Sequence, residues 1–194
     1  MKDDIASGHA SLTPSSWVQR WSHLVPPHGQ VLDVACGHGR HAWWFYKRNH
    51  PLTLVDRSKD AIESIAIPAT SCEAVVADIE NGPWPFAGRQ FDAVVVTNYL
   101  WRPLLPTLLA SVAPGGVLIY ETFTQGNETV GKPSRPDFLL RPGELLAAFR
   151  ELRVVAYEDG FLEAPDRFVQ RIAAVREPLV ATGVPRYLLD QRTG

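Results

Sequence analysis

Two glycines directly behind an apolar run have a spacing suited to ligand binding. The run covers residues 31–35, and Gly37 and Gly39 follow it just before a helical segment begins. Glycine permits a sharp turn between a strand and a helix, and it lets a ligand approach the backbone closely. Asp33 lies four residues before Gly37. We therefore expect a ligand to bind at the end of this strand.

Two further acids stand at the ends of the next two apolar runs. Asp56 closes the run 52–56, where a carboxylate can accept hydrogen bonds from both hydroxyls of a ribose. Asp78 follows the run 73–77. Together with Asp33, these acids suit a ligand that has a ribose, an exocyclic amine and a positive charge. They suit a diphosphate poorly, because three carboxylates repel it.

The elements that position these residues alternate along the chain. Apolar runs typical of buried strands lie at 31–35, 52–56, 73–77, 91–97, 116–121, 152–157 and 167–175. Helical segments lie between them, at 40–49, 58–66, 104–112 and 145–149. The last two runs are spaced as an antiparallel pair. This alternation, closed by a hairpin, predicts a doubly wound α/β sheet.

The composition limits the class of protein. Lys and Arg number 19 against 21 Asp and Glu, which excludes the strongly basic balance of proteins held to nucleic acid mainly through phosphates. Only two cysteines are present and all six histidines precede residue 51, so we expect no metal site. No apolar run reaches the ~20 residues that a membrane-spanning helix needs. We expect one cytoplasmic domain over 1–194, in an oligomeric state that the composition leaves open.

Five motifs, taken in their order along the chain, resemble class I S-adenosylmethionine-dependent methyltransferases. They are VLDVACGHGR, LTLVD, VVADIE, FDAVVVTNYL and APGGVLIYE. The resemblance covers 31–176, leaving 1–30 as an N-terminal lid or helix and 177–194 as a tail. It implies a Rossmann-like, seven-stranded and mostly parallel sheet of order 3-2-1-4-5-7-6, with strand 7 antiparallel. It also implies S-adenosylmethionine as cofactor and S-adenosylhomocysteine as product.

The same resemblance implies that the cofactor binds across the carboxyl ends of the strands. It implies that Asp33 lies near the ammonium group, that Asp56 binds the ribose and that Asp78 accepts from the adenine amine. The other cofactor residues that it implies are Ala35, Gly37, Gly39, Arg40, Arg57, Ile79 and Asn98. Ala35 replaces the first glycine of the family motif, which alters the expected backbone geometry there. Gly39 with Arg40 and a following helix is similar to the small-molecule branch that includes tellurite-resistance and thiopurine-type methyltransferases.

The residues around the methyl acceptor are predicted from their place in this fold. The candidates for a general base are Glu121, Tyr99 and His41. The candidates for contact with the acceptor are Trp17, Trp21, Trp101, Arg102 and Arg135. A segment at 124–137 is long for a loop in a compact domain, and such loops are often functional. We expect transfer of a methyl group to a small-molecule acceptor.

Three other functions stay open. An NAD(P)-linked oxidoreductase is compatible with GHGRHA, which fits the degenerate dinucleotide fingerprint, although Asp33 and the Pro-Gly-Gly ahead of the fifth strand disfavour it. A non-catalytic S-adenosylmethionine-binding subunit would keep the same cofactor residues. Nucleic-acid methylation is less favoured, because Asn98 is followed by Tyr-Leu-Trp rather than by the Pro-Pro-aromatic motif of amino-methylating nucleic-acid enzymes.

Overall fold

A seven-stranded sheet forms the centre of the computed structural model, which describes residues 13–178 and 183–189. The strands are β1 (Val31–Val34), β2 (Leu52–Asp56), β3 (Cys72–Val76), β4 (Phe91–Thr97), β5 (Val112–Phe123), β6 (Arg153–Leu162) and β7 (Arg167–Val175). Their order is β3-β2-β1-β4-β5-β7-β6. The first five strands pair in parallel, and β7 is antiparallel to both of its neighbours. The predicted strand order and the antiparallel strand 7 are confirmed. The predicted lid and tail lie partly outside the described residues.

Helices cover both faces of this sheet. They are α1 (Ser16–Trp21), α2 (Arg40–Tyr46), α3 (Lys59–Glu63), α4 (Leu105–Ala110) and α5 (Glu144–Ala148). The first three pack on the face formed by alternate strand residues such as Val95 and Ile119. The last two pack on the opposite face, against residues such as Val94 and Leu118. Because both faces of the central strands are covered, those strands are apolar on both sides. None of the helices in the described ranges is long and apolar enough to cross a membrane.

Helix α1 is part of the core. The Ser15 hydroxyl caps it by accepting from the backbone N–H of Trp17 at 3.1 Å. Trp17 and Trp21 are each 1% exposed, and their rings meet edge to face with centroids 5.6 Å apart. The indole of Trp17 also donates to the carbonyl of Ile172 on β7 at 3.2 Å. Trp17 and Trp21, which were expected to contact the acceptor, therefore pack in the core and attach α1 to the sheet.

Two strands differ in length from their predicted runs. Strand β5 begins at Val112 rather than at 116, because Phe91 pairs with Val112 before the register shifts and Ala93 pairs with Val117. Strand β6 continues to Leu162, since it pairs with β7 along its whole length. Helices α2 and α4 are shorter than expected, and a 3-10 turn at Arg102–Leu104 precedes α4. The carboxyl ends of the parallel strands keep their predicted positions to within one or two residues.

Candidate cofactor and acceptor site

A cavity of about 360 Å³ opens at the carboxyl ends of the parallel strands. This volume is at the lower end of the range for small-molecule sites, roughly 300–1,000 Å³. The lining residues come from the ends of the five parallel strands and from the segment after β5. They are Ala35, Asp56, Arg57, Asp78, Ile79, Glu80, Asn98, Tyr99, Leu100, Thr122, Phe123, Pro133 and Phe138.

The turn after β1 has the open backbone that the glycine spacing predicts. Ala35, Gly37 and Gly39 have φ angles of 53°, 53° and 73°. A Cβ on Gly37 would meet nothing within 4 Å, so its backbone faces open space. A Cβ on Gly39 would lie 2.9 Å from Cδ1 of Ile65, so only glycine fits between the turn and the residue after α3. Ala35 keeps the left-handed conformation of the glycine it replaces, at a cost of about 1–2 kcal/mol.

Asp56 is held in place by the backbone on both of its carboxylate oxygens. Its Oδ2 accepts from the N–H of Gly37 at 2.8 Å, and its Oδ1 accepts from the N–H of Ser58 at 2.8 Å. Each oxygen retains a further lone pair. A carboxylate fixed in this way at the wall of the cavity has acceptors left for two hydroxyl groups of a ligand.

Asp78 belongs to the next turn along the sheet. Its Oδ1 accepts from the backbone N–H groups of Glu80 and Asn81, at 3.0 and 3.1 Å, and its Oδ2 accepts from Nδ2 of Asn81 at 3.0 Å. The amide of Asn81 and these backbone bonds hold the pKa of Asp78 below its ordinary value. The neighbouring Ile79 is 9% exposed and offers an apolar surface beside that carboxylate. The Asp78 carboxylate can therefore accept a hydrogen bond from the edge of a base, and the Ile79 side chain can contact the face of its ring.

Tyr99 and Asn98 stand after β4. Burial, followed by the charge of Glu80, raises the pKa of Tyr99 well above its ordinary range. The raised pKa favours the protonated phenol, and Tyr99 lines the cavity together with Glu80 and Asp78. Asn98 has a φ angle of 54° and donates its backbone N–H to the carbonyl of Glu121 at 2.9 Å. Its exposed side chain lines the floor.

A buried acid–base pair lies under the turn of β1. Burial raises the pKa of Asp33 to about 7, an effect that Arg40 opposes and Asp56 increases. Burial, with a contribution from Arg40, lowers the pKa of His41 to about 3. Nε2 of His41 accepts from the N–H of Ser15 at 3.3 Å, and its Nδ1 lies 3.9 Å from Oδ2 of Asp33. That separation is too long for a hydrogen bond, so Oδ2 has no partner among the described residues.

Glu121 is tied into a network of its own. It is 1% exposed; its Oε1 accepts from the hydroxyl of Ser15 at 2.8 Å, and its Oε2 accepts from Nη1 of Arg171 at 3.1 Å. Arg171 also binds Glu158 and lies 4.8 Å above the Trp17 ring. Both oxygens of Glu121 are therefore engaged. Glu121 and His41, two of the three general-base candidates, are both buried, and neither lines the cavity.

The other end of the cavity is apolar. Phe123, Pro133 and Phe138 line it together with Thr122. The segment after β5 is attached to β7, because Thr124 donates its N–H to the carbonyl of Phe168 at 3.1 Å and Asn127 Oδ1 accepts from the N–H of Phe168 at 3.1 Å. This wall can hold a flat or aliphatic group and keep water away from it.

The remaining acceptor candidates lie outside the lining. Arg102 binds Glu144 through Nε at 2.6 Å and the carbonyls of Asp137 and Leu139 at 2.9 and 2.8 Å, so it supports the segment that carries Phe138. Trp101 packs on the core face that faces α4. Arg135 is exposed and bound to Asp137, two residues away, at 2.9 Å. None of these three candidates is among the residues that line the cavity.

Several functional candidates were missed by sequence reasoning. The lining residues Glu80, Leu100, Thr122, Phe123, Pro133 and Phe138 are such cases. Thr122 and Phe123 directly follow the apolar run that ends at Glu121, so their position at the end of a predicted strand could have identified them.

Comparisons with known proteins identify a matching domain model and similar structures. A family model described as "Methyltransferase domain" matches residues 31–116. TehB from Haemophilus influenzae is similar in structure, with a TM-score of 0.66 at 17% identity; the match covers 80% of this chain and 60% of TehB. A TehB-like SAM-dependent methyltransferase from Corynebacterium glutamicum has a TM-score of 0.59 at 16% identity, with 80% and 84% covered. The glycopeptide N-methyltransferase MtfA, crystallised with S-adenosylhomocysteine, has a TM-score of 0.57 at 17% identity, with 80% and 86% covered. None of the curated protein sequences compared with the chain matches it.

The sheet order is that of a Rossmann-like methyltransferase fold, and the methyltransferase domain model matches within it. Both findings agree with the resemblance to class I S-adenosylmethionine-dependent methyltransferases that the sequence motifs indicated. The matched part of the chain spans 60% of the length of TehB.

Proposed function

We propose that this chain transfers the methyl group of S-adenosylmethionine to a small acceptor with an apolar body. The observation that carries the proposal is the cavity itself. Asp56, fixed by backbone amides, and the Asp78–Ile79 pair occupy one end, while Phe123, Pro133 and Phe138 form the other. Such a cavity offers polar recognition for a nucleoside and an apolar place for a second molecule beside it. MtfA, which has the same fold, was crystallised with S-adenosylmethionine and with S-adenosylhomocysteine.

The residues of this chain fit the cofactor. Asp33 is a buried carboxylate whose Oδ2 has no hydrogen-bond partner among the described residues, and an ammonium group would supply one. Asp56 would bind the ribose hydroxyls, and Asp78 the adenine amine. Gly37 leaves the backbone open to the methionine part. When bound, S-adenosylmethionine supplies a methyl group whose bond to sulfur breaks as its bond to the acceptor forms, so that the electron pair stays on sulfur.

The chain contributes positioning and exclusion of water. The apolar end of the cavity can hold the acceptor against the methyl group, and alignment of this kind can supply roughly 7–11 kcal/mol in model systems. The described residues that line that end carry no carboxylate, imidazole or phenol. His41 is buried and neutral, and both oxygens of Glu121 are engaged. The acceptor atom is therefore expected to arrive in a nucleophilic form, such as a carboxylate, which is ionised near neutral pH, or a thiol, which has a small thiolate fraction there.

Calorimetry with S-adenosylhomocysteine tests the cofactor part. We expect the full chain to bind it in the micromolar range. Asp56→Ala should weaken binding about tenfold or more, because charge-assisted hydrogen bonds are lost. The matched control is Asp60→Ala, which removes an exposed acid of α3 that does not line the cavity. Absence of binding by the unaltered chain, or equal affinity in Asp56→Ala, would refute the proposal. A titration with NADH covers the oxidoreductase alternative, for which we expect no response.

Tritium-labelled S-adenosylmethionine tests the acceptor part. The full chain is incubated with a cell extract that has been separated into small molecules, proteins and nucleic acids. We expect label in the small-molecule fraction, and Asp56→Ala should abolish it. Label confined to the protein or nucleic-acid fraction would contradict a small acceptor. No label in any fraction would favour the non-catalytic alternative.

A further inference from the structure

The arginine that begins β7 lies beyond the apolar end of the cavity and has no part in the proposed cofactor site. Arg167 is the first residue of β7 and is partly buried. Its Nε is fully buried and makes no hydrogen bond, and its guanidinium group has no ion pair within the described residues. Burying a donor without a partner costs free energy, and such groups usually have a water or a ligand as partner. The arrangement indicates that something else completes this site.

The neighbours of Arg167 show where this residue lies relative to the cavity. Phe168, the next residue, binds the segment after β5 through both its N–H and its carbonyl. Val169, two residues on, is in register with the cavity residue Phe123. Alternate strand residues point to one face, so Arg167 shares its face with Val169 and Arg171. Arg167 therefore stands about 7 Å beyond the Phe123 level, towards the mouth of the acceptor end.

A second arginine lies within electrostatic reach. Arg40 begins α2 directly after Gly39, and its Nη2 is 3.4 Å from Oγ1 of Thr97, the last residue of β4. The positive charge of Arg167 contributes to lowering the pKa of Arg40, after the larger effect of burial. Arg40 also interacts with Asp33 and Glu121. The two guanidinium groups thus lie within electrostatic range of each other, with Arg40 next to the turn after β1 and Arg167 at the start of β7.

The charges around this pair do not balance it. The carboxylate of Glu121 is shared with Arg171, which also has Glu158. Asp33 would be paired with the ammonium group of the bound cofactor, so it would not also neutralise a guanidinium group. The cofactor's own carboxylate would neutralise one guanidinium, which leaves the other for a second anion. A guanidinium group binds a carboxylate with two parallel hydrogen bonds, and this geometry also gives selectivity.

We propose that Arg167 binds a carboxylate of the methyl acceptor, while Arg40, beside Asp33, serves the carboxylate of the cofactor. This inference rests on the proposed function. The acceptor is then a small organic acid whose apolar body lies on Phe123 and Phe138. Its charged group is held at the start of β7, away from the ribose and adenine subsites.

The test uses benzoate and its neutral analogue benzamide on the full chain saturated with S-adenosylhomocysteine, so that the cofactor's carboxylate already occupies its own site. We expect benzoate to raise the melting temperature and benzamide to leave it unchanged. Arg167→Gln should weaken benzoate binding about tenfold or more, and Arg167→Lys should retain part of it because the charge is kept. The control is Arg153→Gln, an arginine of the same hairpin that is bound to Glu177 at the surface. It should bind benzoate like the unaltered chain.

The possible outcomes separate the inference from the proposed function. Equal effects of benzoate and benzamide, or benzoate binding that survives Arg167→Gln, overturn the role of Arg167 and leave the methyltransferase proposal intact. A tenfold loss of S-adenosylhomocysteine affinity in Arg167→Gln, with benzoate binding unchanged, assigns Arg167 to the cofactor's carboxylate and also overturns the inference. If the unaltered chain does not bind S-adenosylhomocysteine, the proposed function fails and the inference with it.

Discussion

The Asp33–His41 pair gives a prediction that can be worked out from the structure alone. Replacing Asp33 by Asn removes a titrating carboxyl group of nearly the same shape from a fully buried position. The pKa of Asp33 is raised from 3.8 to about 7. Between these values the unfolded chain has released the proton and the folded chain still holds it. The folded chain then binds more protons, so this group makes stability fall as the pH rises from about 4 to about 7.

The size of the effect follows from the pKa difference. That difference is about three pH units, and each unit corresponds to about 1.4 kcal/mol, which gives about 4 kcal/mol over the whole interval. His41 acts in the opposite direction. Its pKa is lowered from 6.5 to about 3, so between these values the unfolded chain binds more protons and stability rises with pH. In the unaltered chain the two slopes nearly cancel.

Urea denaturation from about pH 4.5 to 7.5 measures the two slopes separately. Asp33→Asn should become more stable relative to the unaltered chain as the pH rises, by up to about 4 kcal/mol. His41→Gln should show the reverse trend. All other groups titrate alike in the three proteins and cancel in the differences. A constant difference, within about 0.5 kcal/mol, between Asp33→Asn and the unaltered chain would refute the reasoning. It would mean that Asp33 is ionised throughout this pH range.

Two further predictions concern stability at a single pH. Gly39→Ala should cost about 2–4 kcal/mol, since it combines left-handed backbone strain with a contact to Ile65, whereas Gly37→Ala should cost only about 1–2 kcal/mol because its Cβ meets open space. Equal losses in urea denaturation would contradict the role of Ile65. Glu121→Gln should destabilise by about 2–4 kcal/mol because it leaves a buried ion pair incomplete. Glu158→Gln, the exposed partner of the same arginine, should cost less than about 1 kcal/mol, and the opposite ranking in thermal unfolding would be inconsistent with this network.

The strands could be predicted because their residues are apolar on both faces, which is unusual outside a sheet covered by helices. The start of β5 could not be predicted in this way. Pro114, Gly115 and Gly116 have the composition of a turn, yet the strand continues through them. Gly115 has a φ angle of 83°, and a Cβ on Gly116 would lie 2.9 Å from the carbonyl oxygens of Ala113 and Phe91. The glycines allow a close crossing of two strands, and this depends on a neighbour that is distant in sequence.

The cofactor side of the site was predictable because each acid ends a strand, and strand ends in a parallel sheet meet at one edge. The acceptor side depended on which face each side chain takes and on what lies above it. His41 turns into the core under Ser15, and Trp17 is covered by the sheet. Among the described residues the Nε of Arg167 has no hydrogen-bond partner, and only the folded neighbourhood of this residue shows it. Composition and spacing contain no information of that kind.

The hydrogen bonds of Ser15 have a consequence for exchanging parts between related enzymes. This residue caps α1 and at the same time donates its N–H to His41 on α2 and its hydroxyl to Glu121 on β5. A first helix grafted from a structurally similar protein would have to bring a hydroxyl at the same place. Without that hydroxyl, the buried carboxylate of Glu121 would lose a donor and the N–H of Trp17 would lose an acceptor. The first helix and the centre of the sheet therefore depend on each other structurally, and a chimera has to exchange them together.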